Sequence, residues 1–239
     1  YNIELDQQYD YWCKIMSIAG FPVLDLRQMV GDEIKFYVTD HHWTMESGFN
    51  ANKAIIDSLN NEYNLGLDHE KVYTDIELYK KINYEKSFLG SEGIRVGKFF
   101  AGKDDFEILV PKFNTDFTHT QYKNGKQYWA SRGTYKNVFI NIKDLENPNY
   151  NNKYNVIAYG AYIENIITNH LADNDLKVLL IADSFGRPLV TYLACIFRET
   201  RYLDPQEGRY NESFVEYIDE FKPDVVIMMT SGDLTFKKI

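Results

Sequence analysis

"KVLLIADSFGRPLVTYLACIFRET", residues 177–200, decides the fold. "KVLLIAD" is a continuous apolar run of the length of a buried strand, and the residues after it change period, with Leu189, Tyr192, Leu193 and Ile196 at helical spacing. Strand, turn and helix succeed one another within two dozen residues. Further on, "RYLD" (201–204) reads as a second strand, "ESFVEYIDEFKP" as a helix ended by Pro223, and "DVVIMMT" (224–230) as a third buried strand. Such alternation gives neighbouring parallel strands covered by helices, with ligands beyond the carboxyl ends of the strands.

Working outward, Thr44 is placed to cap a helix running to about Asn64, because Ala51, Ile55, Leu59 and Tyr63 recur every four residues and Gly66 comes just after. The segment from about 93 to 142 holds "IRVGKFF", "DFEILVPKF", "KQYWASRG" and "NVFINI", separated by Gly, Asp and Asn. It is expected to form antiparallel hairpins, a strand-rich insertion over the sheet. The 239 residues, 44% of them hydrophobic, suffice for one sizeable core, so a single domain over 1–239 is expected. A net charge of −9 and the lack of any Lys/Arg run argue against a nucleic-acid partner. Two cysteines, Cys13 and Cys195, cannot make a disulfide framework or a four-cysteine zinc site, and read as free thiols. No apolar stretch is long enough for a membrane span, and a start at Tyr1 reads as a mature or trimmed fragment. The 19 tyrosines and 15 phenylalanines suit a sugar-binding surface, although core packing accounts for most aromatics.

Two stretches carry candidate chemistry. Ser184 falls where the strand gives way to the helix, so its hydroxyl lies at the carboxyl edge of the sheet. The amides of the first turn around it are suited to a developing oxyanion. A serine in that place also serves as a plain helix cap. "YVTDHHWTMES" (37–47) puts Asp40, His41, His42 and Trp43 ahead of the Thr44 helix. Asp40 and His42 project the same way in an extended chain, so the carboxylate can hold the imidazole proton. The same run reads equally as a polar capping loop, or as a zinc site, which adjacent histidines pointing apart make less attractive.

Together, "TDHHWT" and "LLIADSFGRP" resemble the DHHW proteins of Gram-positive bacteria, relatives of the alginate O-acetyltransferases within the SGNH-hydrolase superfamily. Weaker likeness runs from about Ile34 to Asp233, through "FLGSEGIRVGKFFAGKDDFEILVPKF", "YGAYIENI" and "YLDPQEGRY". The resemblance implies an SGNH-hydrolase-like three-layer α/β fold with a central parallel sheet. It also implies a triad in which Ser184 is the nucleophile, His42 the base and Asp40 its orienting group. It gives His41 and Trp43 no proton-transfer role; Trp43 is either a sugar-stacking face or core filling. Ala182 stands where the superfamily's Gly-Asp-Ser signature has glycine, and no G-x-N-D asparagine is present. Ser91, Gly160 and Tyr162 are therefore the candidate oxyanion or substrate contacts, with a structural turn the competing reading for Ser91.

The expected function is a secreted or surface-tethered acyl esterase or O-acetyltransferase acting on a carbohydrate polymer with an acyl donor. It needs no cofactor or metal. The expected location is extracellular or at the cell surface, with a membrane tether or exopolysaccharide assembly proteins as partners. The alternatives are a catalytically silent carbohydrate-binding or scaffold module and, more weakly, a zinc-dependent deacetylase centred on the DHHW run. The adjacent Asp40 is expected to hold the His42 pKa at or somewhat above its ordinary value of about 6.5, because a nearby carboxylate favours the imidazolium.

Overall fold

The computed structural model describes residues 3–123, 125–160, 164–205 and 213–230. Helices α1 (Ile3–Ile18), α2 (Leu26–Met29) and α3 (Met45–Tyr63) come first. Strand β1 (Tyr79–Phe88), short helices α4 (Ser91–Val96) and α5 (Lys98–Ala101), and strands β2 (Asp104–Pro111), β3 (Phe117–Lys123) and β4 (Lys126–Gly133) come next. Helices α6 (Tyr135–Phe139) and α7 (Ile142–Glu146) lead to β5 (Glu164–Asn169), β6 (Lys177–Ala182), α8 (Gly186–Ile196), β7 (Glu199–Leu203), α9 (Phe214–Phe221) and β8 (Val225–Met229).

The strands make a six-stranded sheet in the order β4-β3-β5-β7-β6-β8 and a separate pair, β1-β2. As the opening stretch predicts, β6 runs parallel to both β7 and β8. Alternation along β6 explains why both of its faces are covered. Val178, Leu180 and Ala182 join the large core with the helix residues Leu189, Leu193 and Ile196, whereas Leu179 and Ile181 meet Leu203, Phe221 and Phe214 on the α9 side. Truncating one of the fully buried leucines of α8 to alanine would cost about 2–5 kcal/mol.

The sheet is mixed rather than wholly parallel. β3 and β4, joined across two residues, form an antiparallel hairpin, and β5 is antiparallel to both β3 and β7. The expected insertion over the sheet is divided instead. The β3-β4 hairpin extends the main sheet at its edge, while β2 pairs with β1. Two of the expected strands are helical. "IRVGKFF" lies in α4 and α5, where Ile94, Val96, Phe99 and Phe100 are exposed and alternate against no sheet face. "NVFINI" closes α6, with the consecutive buried residues Val138, Phe139 and Ile140 turning inward together.

Helix α3 matches its expectation. The Thr44 hydroxyl accepts the Ser47 N–H at 3.2 Å, and Asn64, at φ 53°, closes the helix in the left-handed region two residues before Gly66. α3 approaches α8 so closely that a Cβ on Gly48 would lie 2.5 Å from Pro188 Cβ. Cys13 and Cys195 are both free. Among the described residues no helix is long and apolar enough to cross a membrane.

Candidate active site

The chain from Lys35 to Thr44 doubles back on itself: the Tyr37 N–H reaches the His42 carbonyl at 3.1 Å and the Thr44 N–H reaches that of Lys35 at 3.0 Å. The turn presents Asp40 and His42 inward and leaves His41 exposed. Asp40 is 5% exposed and fully engaged. Its Oδ1 accepts the His42 backbone N–H at 3.1 Å and faces the ring Nδ1, and its Oδ2 accepts the Ser91 N–H at 2.8 Å. Burial pushes the Asp40 carboxyl pKa up. The hydrogen bonds from the His42 ring and the Ser91 N–H outweigh it and bring the pKa down to about 2.

His42 Nε2 lies 2.7 Å from Ser184 Oγ, across 142 residues of sequence. With Nδ1–H donating to an ionised Asp40, the hydrogen-bond network assigns the lone pair to Nε2, which accepts the hydrogen bond of the Ser184 hydroxyl. The ring stacks on Tyr154 at 3.9 Å and 19°, with Phe185 at 5.1 Å. That burial lowers the His42 pKa from its ordinary value and outweighs Asp40, with the charges of His41 and Arg187 adding to the lowering. The expectation of a pKa at or above 6.5 is therefore overturned: burial outweighs the neighbouring carboxylate and reverses the sign of the shift.

Ser184 sits in the turn between β6 and α8. Gly186 fits there because a Cβ would lie 2.8 Å from Ala182 Cβ and 2.9 Å from the Tyr202 ring. The Phe185 N–H is taken by Asp183 Oδ1 at 3.0 Å and the Gly186 N–H by the Asp183 carbonyl at 2.9 Å. The amides expected to receive an oxyanion are thus largely occupied within the turn. The Ser184 N–H has no acceptor among the described residues.

The other sequence-derived candidates divide. Ser91 belongs to the site: besides its N–H on Asp40, its hydroxyl lies 3.2 Å from His41 Nδ1. Trp43 is 5% exposed and donates its indole N–H to the Phe185 carbonyl at 3.0 Å. It offers no face to a sugar, and instead ties the histidine loop to the serine turn. The Gly160 N–H is spent on the Ile157 carbonyl at 3.0 Å within a tight turn, which removes it as an oxyanion donor. Tyr162 lies outside the described residues.

Three neighbours escape a reading of the sequence. Tyr154 stacks on His42 and donates its hydroxyl to the Ser184 carbonyl at 3.2 Å. Asn155 accepts the Arg187 Nη1–H at 2.6 Å through Oδ1. Their signal is slight: one aromatic and one amide in the polar run "LENPNYNNKYN", and an arginine three residues after the serine.

Ligand atoms of Asp40, His41 and His42 lie within 4.8 Å of one another, a grouping that could hold a cation. Both Asp40 oxygens already accept N–H donors, and His42 is engaged at both nitrogens, so a metal would have to break the line from Asp40 to Ser184.

No protein-family model and no curated protein matches the chain. Among solved structures it is similar to a DHHW family protein from Eubacterium siraeum DSM 15702, with 20% identity over 86% of this chain and 61% of that one, at a TM-score of 0.62. It is also similar to Bacillus cereus PatB1 with a sulfonyl adduct: 19% identity, 92% of this chain and 65% of that one, TM-score 0.61. A second PatB1 structure matches at 21% identity and a TM-score of 0.57, over 82% of this chain and 62% of that one. The likeness concerns the fold. The chain spans less than two thirds of each of these structures.

Proposed function

We propose that the chain is an SGNH-like acyl-transfer enzyme, an acetylesterase or O-acetyltransferase acting on a cell-surface or exported polysaccharide, with Ser184, His42 and Asp40 as its triad. The observation that carries this reading is the unbroken line from Asp40 Oδ1 through the His42 ring to Ser184 Oγ at 2.7 Å. Hydrogen-bond reach between nucleophile, base and orienting group is the geometry that activates a serine. The lowered His42 pKa supports it, since a base must be unprotonated at working pH. The parallel β7-β6-β8 core, with the serine at the carboxyl end of β6, is consistent with the three-layer SGNH arrangement. PatB1 has been captured with a sulfonyl adduct, and such reagents combine with activated nucleophiles.

In this mechanism Ser184 Oγ attacks the carbonyl carbon of an acyl ester while its proton passes to His42 Nε2. Asp40 stabilises the imidazolium without taking its proton. The oxyanion is received by the Ser184 N–H and by Asn155 Nδ2, which stays available because Arg187 engages Oδ1. One such donor is worth about 10²–10³ in turnover. Collapse breaks the ester bond, His42 returns the proton to the leaving oxygen, and water or a sugar hydroxyl then deacylates Ser184. These steps use no cofactor. The acyl donor, the glycan and any tether or assembly partner belong to the same proposal.

The occupied Phe185 and Gly186 amides favour the rival reading, a silent carbohydrate-binding or scaffold module. Benzenesulfonyl fluoride separates the two. An activated Ser184 takes one adduct per chain, located by peptide mapping and abolished by Ser184→Ala; a folded protein that takes none is the binding module.

A further inference from the structure

We infer that Arg187 reads a negative charge on the substrate, a carboxylate or phosphate held beside the acyl group. The inference rests on the acyl-transfer reading. Six arginines fall among the described residues, and five of them, Arg27, Arg95, Arg132, Arg198 and Arg201, lie within ion-pair distance of a carboxylate. Arg187 has no carboxylate partner among the described residues, in a chain whose acids outnumber its Lys and Arg residues by 35 to 26. An acidic protein whose described residues leave this arginine without a counter-charge keeps that charge for another role.

Its position says for what. Arg187 stands in the first turn of α8, three residues after Ser184. Its Nη1–H goes to the neutral amide of Asn155, its Nε–H is buried with no acceptor, and its guanidinium carbon lies 5.8 Å from the centre of the Tyr154 ring. Tyr154 is the ring that stacks on His42 and bonds the Ser184 carbonyl. The cation is therefore fixed against the nucleophile's own supports, partly exposed, and short of acceptors. A guanidinium matches planar carboxylate and phosphate oxygens through paired N–H bonds, which a lysine cannot reproduce.

Pairing with a substrate anion would also act on His42. The unpaired Arg187 charge is one of the influences that disfavour the imidazolium. An anion seated on Arg187 cancels that influence when Ser184 passes its proton to His42, so a charged substrate assists the attack as well as the binding.

The test compares sulfonylation of Ser184 by benzenesulfonyl fluoride with that by 3- and 4-(fluorosulfonyl)benzoate. Taking the anionic-to-neutral rate ratio within each protein cancels the reagents' intrinsic reactivities between wild type and variant. For at least one isomer the ratio should fall about tenfold or more in Arg187→Gln, the scale of one charge-assisted hydrogen bond. Arg187→Lys, which keeps the charge without the fork, should lie between. Protection of the wild type by inorganic phosphate but not acetate assigns a phosphate, and the reverse assigns a carboxylate. Unchanged ratios in both variants, with Ser184 labelled by all reagents, would overturn the inference and leave the nucleophile standing. No adduct from any reagent on folded protein would remove the nucleophile, and this inference with it.

Discussion

Gly90→Ala tests the aspartate's placement without touching a reacting group. Gly90 holds φ −79° and ψ −176°, which alanine adopts freely, so the substitution carries no backbone penalty. Its cost is steric. An added Cβ would lie 2.1 Å from Asp40 Cβ and 2.5 Å from both Asp40 Oδ2 and the Thr39 carbonyl. Carbon atoms pack at about 3.5–4.0 Å, so Asp40 or the Gly90 backbone must give way by about 1.5 Å. Asp40 is buried, and moving it weakens its bonds to the Ser91 N–H and the His42 ring. Overpacking of this kind costs about 1–3 kcal/mol, or about 2–10 °C in Tm for a chain of this size. Misplacing a catalytic group by about 1 Å costs about 10²-fold in rate, so sulfonylation of Ser184 should slow by at least that factor. Gly66→Ala is the control: Gly66 has φ +64° and nothing within 4 Å of an added Cβ, so alanine there costs about 1–2 kcal/mol of stability yet leaves labelling unchanged. A Gly90→Ala protein with the Tm and labelling rate of the wild type would refute the reasoning.

Labelling should rise with pH as His42 loses its proton, with a midpoint below 6.5 because burial lowers that pKa; a midpoint at or above 6.5 would mean that Asp40 dominates. Both pKa values are depressed by folding, so acid should remove stability: the His42 part below about pH 6.5 and the Asp40 part as pH falls from about 3.8 toward 2, the latter missing in urea titrations of Asp40→Asn. Trp43→Phe, which loses the indole bond to the Phe185 carbonyl, should cost about 1 kcal/mol and slow labelling; an unchanged Tm and rate would make that bond idle. Lys153 is 1% exposed and gives its ammonium to the carbonyls of Asp144, Leu145 and Asn147, so Lys153→Met should cost about 3 kcal/mol or more by urea unfolding, and a loss under 1 kcal/mol would show those carbonyls finding other partners.

Local pattern is what makes an element legible in this sequence. The β6-α8 unit is legible because its period switches from a continuous apolar run to helical spacing within a few residues, and α3 because Thr44 and the four-residue apolar repeat agree. The helices α4 and α6 look like strands in the sequence because each is a turn or two long, too short for a period to declare itself. The mixed sheet is hidden for a different reason. Strand direction in β5 depends on which neighbours it joins, and those lie about 40 residues away on either side.

The same distinction governs the site. Asp40 and His42 are two residues apart, so their cooperation is written locally, and the serine is marked by the strand-to-helix switch. What surrounds them is set by tertiary packing alone. Tyr154 comes from a polar run with no period, yet its fully buried ring lies against His42 as part of the burial that lowers that residue's pKa. The run holds its place because Lys153, the residue before, caps the carbonyls closing α7 from within the core. A buried lysine thus supports a buried tyrosine, the tyrosine covers the histidine, and the buried histidine favours its neutral form, as the base proposed for Ser184 must. Each link spans a gap that no sequence window covers, which is why the residues of the proposed triad are visible in the sequence while the environment around them is not.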